Sequence, residues 1–242
     1  MPDPDRSPMI GQDRTPMLEF ERAWQDRGDR IAVQAEALVI AGWTGRDSAA
    51  IHHHIEELGR LGVPAPSTVP LFYRLSVTQL TQSARLQVLG PDTSGEVEPV
   101  VVSLADGLWI GLGSDHTDRK AEAIGVALSK QLCPKAIGRQ LWRLDELAPH
   151  WDRLILRAWA VIDGKRVLYQ EGAVAGIRPP QELIGLYGGA AGLAPGTVMF
   201  CGTLGAIGGV RPGSRFEMEL EDAVLGRRLA HAYDVQALPV VS

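Results

Sequence analysis

The chain has 242 residues, 45% of them hydrophobic, a net charge of −5 and two cysteines. That is ample apolar material for a buried core. The basic residues are scattered and not gathered into a stripe, and no apolar run is long enough to span a bilayer, which argues against nucleic acid and membrane and leaves a small molecule as the expected partner.

In chain order, the opening MPDPDRSPMIGQDRTP is rich in Pro and Asp and has neither a cationic start nor an apolar centre. It reads as a disordered tail over residues 1–16, and residues 17–242 as one domain. A strand is expected over 31–40. A helix follows over 47–61, with Ile51, Ile55 and Leu58 at helical spacing and Gly62 just past its end. After a Pro-rich turn come a strand at 71–75 and three runs, 85–89, 96–104 and 108–112, expected as a meander with Ala105-Asp106-Gly107 as its last tight turn. Residues 117–131 read as a helix. Beyond a Trp-rich connector lie strands at 154–162 and 166–171 joined at Asp163-Gly164, a helix at 180–187, a Gly-rich linker and three closing strands. The fold class is α+β and mainly β, with a few flanking helices. Trp142, Trp151 and Trp159 are expected as core and interface anchors. Cys133 and Cys201 have no CxxC partner, so both are expected as free buried thiols in a reducing, cytoplasmic setting.

Two features carry chemistry. Glu96 and Glu98 stand two apart in a strand-like run, so both carboxylates point to one face, and a hard divalent cation is the usual reason to hold like charges together. Against it stands the plain alternative of a solvated strand face. The second feature is His52-His53-His54 followed by Glu56 and Glu57. Successive helical residues are about 100° apart, so the three rings cannot converge on one metal. A His-Glu pair three or four residues apart remains available, as does the plain reading of a solvated helix. There is no GxSxG elbow, no phosphate-cradling GxxxxGK[ST] and no GxGxxG.

The final third sharpens this. In LAPGTVMFCGTLGAIGGVRPGSRFEMELED, Pro195, Gly196, Gly202, Thr203 and Gly208, then Pro212-Gly213 and the Glu217-x-Glu219 alternation, resemble the signature PGDVIxTGTPxGVG…PGDxVEVEIEG of the fumarylacetoacetate hydrolase superfamily. Pro180-Gln181-Glu182-Leu183-Ile184 is similar to its xPxELI helix, Glu96-Val97-Glu98 to its ExE strand, Ser114-Asp115 with Arg119 to its NDxSxRD segment, and Ser129-Lys130 to the region of its GKSFD lysine. The resemblance covers residues 31–235 and points to an uncharacterised bacterial branch.

What it implies is a mixed β-sheet roll or sandwich, a cytoplasmic homodimer, and Mg²⁺ or Mn²⁺ on Glu96, Glu98 and Asp115. The implied reaction is carbon–carbon hydrolysis of a small 2-oxo or β-diketo acid through a metal-stabilised enolate, with decarboxylase, isomerase or non-catalytic binding on the same site as alternatives. The family's HxxELG aligns best with His54-Ile55-Glu56-Glu57-Leu58-Gly59 and makes His54 and Glu57 the water-activating pair, His53 close behind, with Lys130 beside the developing charge. Arg74, where the family commonly has Lys, and Thr203, Gly202, Arg119 and His116 are the expected substrate contacts. Only sixteen residues separate Glu98 from Asp115, fewer than is usual in the family, and the turn reads Gly-Thr-Leu in place of Gly-Thr-Pro.

Overall fold

The computed structural model describes residues 16–60 and 65–241, with His54, Glu57 and Leu58 as backbone only. The expected tail, bar its last residue, and the expected helix end at 61–62 lie outside the described residues.

Two main sheets build the molecule. The larger, of ten strands, follows the order Arg27–Gln34, Met17–Trp24, Gln140–Arg143, Gly107–Ser114, Val97–Leu104, Thr197–Phe200, Ala37–Gly42, Leu71–Leu75, with Lys135–Ile137 also on Gly107–Ser114 and Leu80–Thr81 beyond it. The smaller runs Lys165–Ala173, Ile155–Ile162, Arg215–Asp222, Arg227–Leu238, Arg85–Leu89. Parallel pairs occur in both, between Thr197–Phe200 and Ala37–Gly42 and between Arg227–Leu238 and Arg85–Leu89, so the sheets are mixed.

The central strands of the large sheet are apolar without alternation because both of their faces are covered. Val39, Val101 and Met199 pack against Leu156 and Met218 of the small sheet. Their neighbours Leu38, Ile40, Val100, Val102, Val198 and Phe200 point the other way, into a second core. That second core joins Leu18, Phe20 and Val33 from one end of the strand order to Leu75 from the other, so the sheet is rolled around it.

Several elements differ from expectation. The 31–40 strand is broken at Ala35 and Glu36 into Arg27–Gln34 and Ala37–Gly42, and Met17–Trp24 is a further strand paired with the first of these. The 85–89 run joins no meander; it pairs with Arg227–Leu238 in the small sheet, leaving Val97–Leu104 and Gly107–Ser114 as a simple hairpin. The 117–131 helix is two short ones, Arg119–Glu122 and Val126–Gln131, because the Asp118 carboxylate caps the Ala121 amide (2.9 Å) and the chain breaks before Gly125. At Asp163-Gly164 both residues have positive φ (50° and 74°), which a two-residue type I′ hairpin turn requires.

Candidate metal centre

The hairpin register assembles the acidic trio. Val97 lies opposite Ser114 and Glu98 opposite Gly113, so one step outward Glu96 faces Asp115, whose amide donates to the Glu96 carbonyl at 3.0 Å. The short stretch between Glu98 and Asp115 is therefore two strands and a tight turn. One ligand oxygen from each of Glu96, Glu98 and Asp115 lies within 4.8 Å of the other two. Glu98 and Asp115 are buried.

Cations from three elements hold this charge. Arg119 Nη2 donates to Glu96 Oε1 (2.8 Å), and Lys130 Nζ reaches Glu96 Oε2 (3.3 Å) and Asp115 Oδ2. Lys135 Nζ lies 3.0 Å from Asp115 Oδ1 and donates to the His116 carbonyl at 2.5 Å. Burial opposes ionisation of Glu96, but Arg119 and Lys130 outweigh it and hold its carboxyl below the usual range. Glu98 behaves in the opposite way. Burial, then the charges of Asp115 and Glu96, push its carboxyl well above the usual range, and among the described residues only the Gly202 amide (2.7 Å) bonds it directly. Burial lowers the ammonium of Lys135, whereas Asp115 and Glu96 overcome burial at Lys130 and raise it. Asp115 Oδ1 is buried in ion-pair contact but without a hydrogen bond of good geometry. Three hard carboxylate ligands, one of them a carboxyl that resists ionising without more positive charge, suit Mg²⁺ or Mn²⁺.

Glu96 and Glu98 line a cavity of about 700 Å³ together with Arg119, Lys130, Gly202 and Thr203, while Asp115 is fully buried and not on its wall. Gly202 has φ +101°, and a Cβ there would land on Thr44 Oγ1, so only glycine can present its amide to Glu98. Thr203 Oγ1 donates to the Val97 carbonyl (2.7 Å) and accepts from Gln170 Nε2 (2.8 Å), while Gln170 Oε1 accepts from the Val97 amide (3.1 Å). Together they tie the Gly-Thr turn to the Glu96-Val97-Glu98 segment.

Other expected contacts are elsewhere. Arg74 is exposed, donates to the Tyr187 hydroxyl (2.8 Å) and is not on the cavity wall. His116 is fully buried off the cavity, between Tyr233 Oη (3.0 Å at Nδ1) and Thr93 Oγ1 (2.9 Å at Nε2); burial, helped by Lys135 and Arg119, holds its imidazole down at about 3. It is a neutral strut beside Asp115, and its bonds support no substrate contact. The helix Ser48–Arg60 reaches the cavity through Ala50 and Ile51; His52 Nδ1 donates to the Ser48 carbonyl (2.6 Å), and His53 is exposed. His54 and Glu57 are in the same helix, their side chains outside the described residues. Cys133 and Cys201 are free and buried, and burial pushes the Cys133 thiol up to about 11, which leaves no nucleophile there.

Sequence reasoning missed Lys135, Gln170 and Trp43. A lone lysine inside Cys133-Pro134-Lys135-Ala136-Ile137 was the available signal for the first, since lysine is almost never fully buried without a partner. The other two carried none.

The match to known proteins follows this geometry. A family described as "Protein of unknown function (DUF2848)" matches residues 41–233. Similar solved structures include a 2-keto-3-deoxy-D-arabinonate dehydratase complexed with magnesium and 2,5-dioxopentanoate (15% identity, 88% of this chain and 78% of that one, TM-score 0.60). A fumarylpyruvate hydrolase from Pseudomonas aeruginosa in complex with Mn²⁺ and pyruvate is similar over 94% and 100% (14% identity, TM-score 0.59). A yeast fumarylacetoacetate hydrolase family protein is similar over 86% and 95% (15% identity, TM-score 0.54). No curated protein matches the sequence. The chain belongs to the DUF2848 family, and its fold is that of the fumarylacetoacetate hydrolase family.

Proposed function

We propose that this chain is a divalent-metal-dependent enzyme that hydrolyses a carbon–carbon bond in a small 2-oxo or β-diketo acid. The observation that carries this reading is the convergence of Glu96, Glu98 and Asp115 on one another at the edge of a cavity of substrate size, which Glu96, Glu98 and the Lys130 that pairs with Glu96 and Asp115 line. Mg²⁺ or Mn²⁺, held by the three carboxylates, would polarise the substrate's oxo group and stabilise the negative charge that develops there. The ligands of the two related enzymes, pyruvate and 2,5-dioxopentanoate, support the oxo-acid class.

The chain's own residues divide the remaining work. Lys130 offers a point charge on a flexible stem to the substrate's carboxylate or to its developing charge. Arg119 is bound at Nη2 by Glu96, at Nη1 by Glu122 and at Nε by Ser94 (2.6 Å), so its part is to hold Glu96 in place. Thr203 and Gln170 fix the turn that carries Gly202. His54 takes the proton from the attacking water, oriented by Glu57, with His53 as second candidate; the helix that bears them already lines the cavity one turn earlier, at Ala50 and Ile51.

The test is turnover of a panel of acylpyruvates and oxaloacetate with and without Mg²⁺ or Mn²⁺. Metal-dependent cleavage that disappears in both Glu98→Ala and His54→Ala supports hydrolysis. Cleavage that survives His54→Ala reassigns the reaction to decarboxylation. Ligand binding that needs the metal but leads to no turnover removes the enzyme reading in favour of a binding protein.

A further inference from the structure

The cavity is much larger than a three-carbon acid needs and falls within the range that holds drug-sized ligands. Its cations are gathered at one place. Among the described residues only Arg119 and Lys130 line it with positive charge, and both are paired with carboxylates at the metal trio. The other charged lining residues outside the trio, Asp47 and Glu122, are acidic. Among the described residues a second carboxylate on the substrate would therefore find no further cation on the wall to pair with.

The remaining wall is mainly apolar and aromatic apart from Thr44, Gln170 and Thr203, with Trp43 as its unusual member. Trp43 adopts φ +61°, a region a bulky residue rarely enters, directly after the strand Ala37–Gly42 and directly before Thr44, which packs under Gly202. The indole lies on the cavity wall, where its Nε1 donates to the Tyr73 hydroxyl at 3.3 Å, one of the contacts that sustain this strained backbone. Ile51 and Val210 extend the same wall. An indole offers a flat apolar face to a planar group.

Resting on the oxo-acid reading above, we propose that the substrate is a monocarboxylate whose far end is an uncharged apolar or aromatic group, and that Trp43 is the residue that selects it. Dicarboxylates are disfavoured at this site.

Binding to the Mn²⁺-loaded full chain, measured by calorimetry with pyruvate, phenylpyruvate and 2-oxoglutarate, tests this. Phenylpyruvate is expected to bind at least tenfold more tightly than 2-oxoglutarate, Trp43→Ala to reduce that ratio below threefold, and Trp43→Phe to retain it. Val210→Arg, at an exposed position on the same wall, is expected to improve 2-oxoglutarate binding severalfold and so tests the charge argument even if Trp43→Ala fails to fold. Equal or tighter binding of 2-oxoglutarate by the unmodified protein overturns the proposal alone. If none of the three acids, pyruvate included, binds the metal-loaded chain, the oxo-acid reading falls and this proposal falls with it.

Discussion

Asp115 and Glu96 are cross-strand partners, joined by an amide-to-carbonyl bond of 3.0 Å at the open end of the hairpin Val97–Leu104 and Gly107–Ser114. Because side chains alternate along a strand, the same register carries Glu98 to the face of Glu96. Three acids from two short stretches thus meet with no long loop between them, and each needs a cation.

In the proposed metal site Glu98 is the acid whose ionisation its surroundings favour least. With burial and two neighbouring carboxylates raising its carboxyl, a cation competes there with a proton, so affinity for Mn²⁺ is expected to fall as pH falls. Calorimetry in two buffers of different ionisation enthalpy should reveal proton release on Mn²⁺ binding that grows as pH falls. Glu98→Gln should weaken Mn²⁺ binding by more than about a hundredfold, since even partners outside the ligand set commonly cost ten- to hundredfold.

Lys135 is wholly buried against Asp115. Removing one member of a buried pair leaves an uncompensated charge and costs about 3–5 kcal/mol. Because Lys130 still pairs with Asp115, Lys135→Met is expected to destabilise the metal-free protein by less than that, with part of the loss recovered on adding Mn²⁺, which offsets the same charge. Urea denaturation with and without the metal decides it; a loss unaffected by Mn²⁺ would place the role of Lys135 in packing alone.

The imidazole of His116 is held neutral, at about 3, chiefly by burial. In the unfolded chain it titrates near about 6.5. As pH drops through that window the unfolded state takes up a proton that the fold refuses, so stability falls by up to about 1.4 kcal/mol per pH unit. His116→Gln should lower the slope of stability against pH by about one proton between pH 4 and 6; identical slopes in the two proteins count against it.

Gly202 has room for no side chain. Gly202→Ala combines a left-handed backbone, worth about 1–3 kcal/mol of strain, with a clash on Thr44. The turn must shift away from Glu98, and both thermal stability and metal affinity should drop. A companion Thr44→Ser, which removes a methyl but keeps the hydroxyl, should leave Gly202→Ala impaired, because the hydroxyl is the nearer obstacle.

Much of this was legible beforehand. The common face of Glu96 and Glu98, the Asp163-Gly164 turn, the helix Pro180–Gly188 and the glycine turn before Thr203 follow from local spacing and from φ requirements that the residues themselves impose. The ordered motifs also identified the fold. Local spacing could not show that 85–89 crosses to the small sheet, that His116 turns into the core while its neighbour Asp115 joins the site, or that Lys135 is a second cation on Asp115. Each depends on which distant strands meet once the large sheet has rolled, and the pairing of buried charges is settled only by that closure. The sequence alone determined the acids and their spacing; the tertiary structure decided which cations and which cavity wall they face.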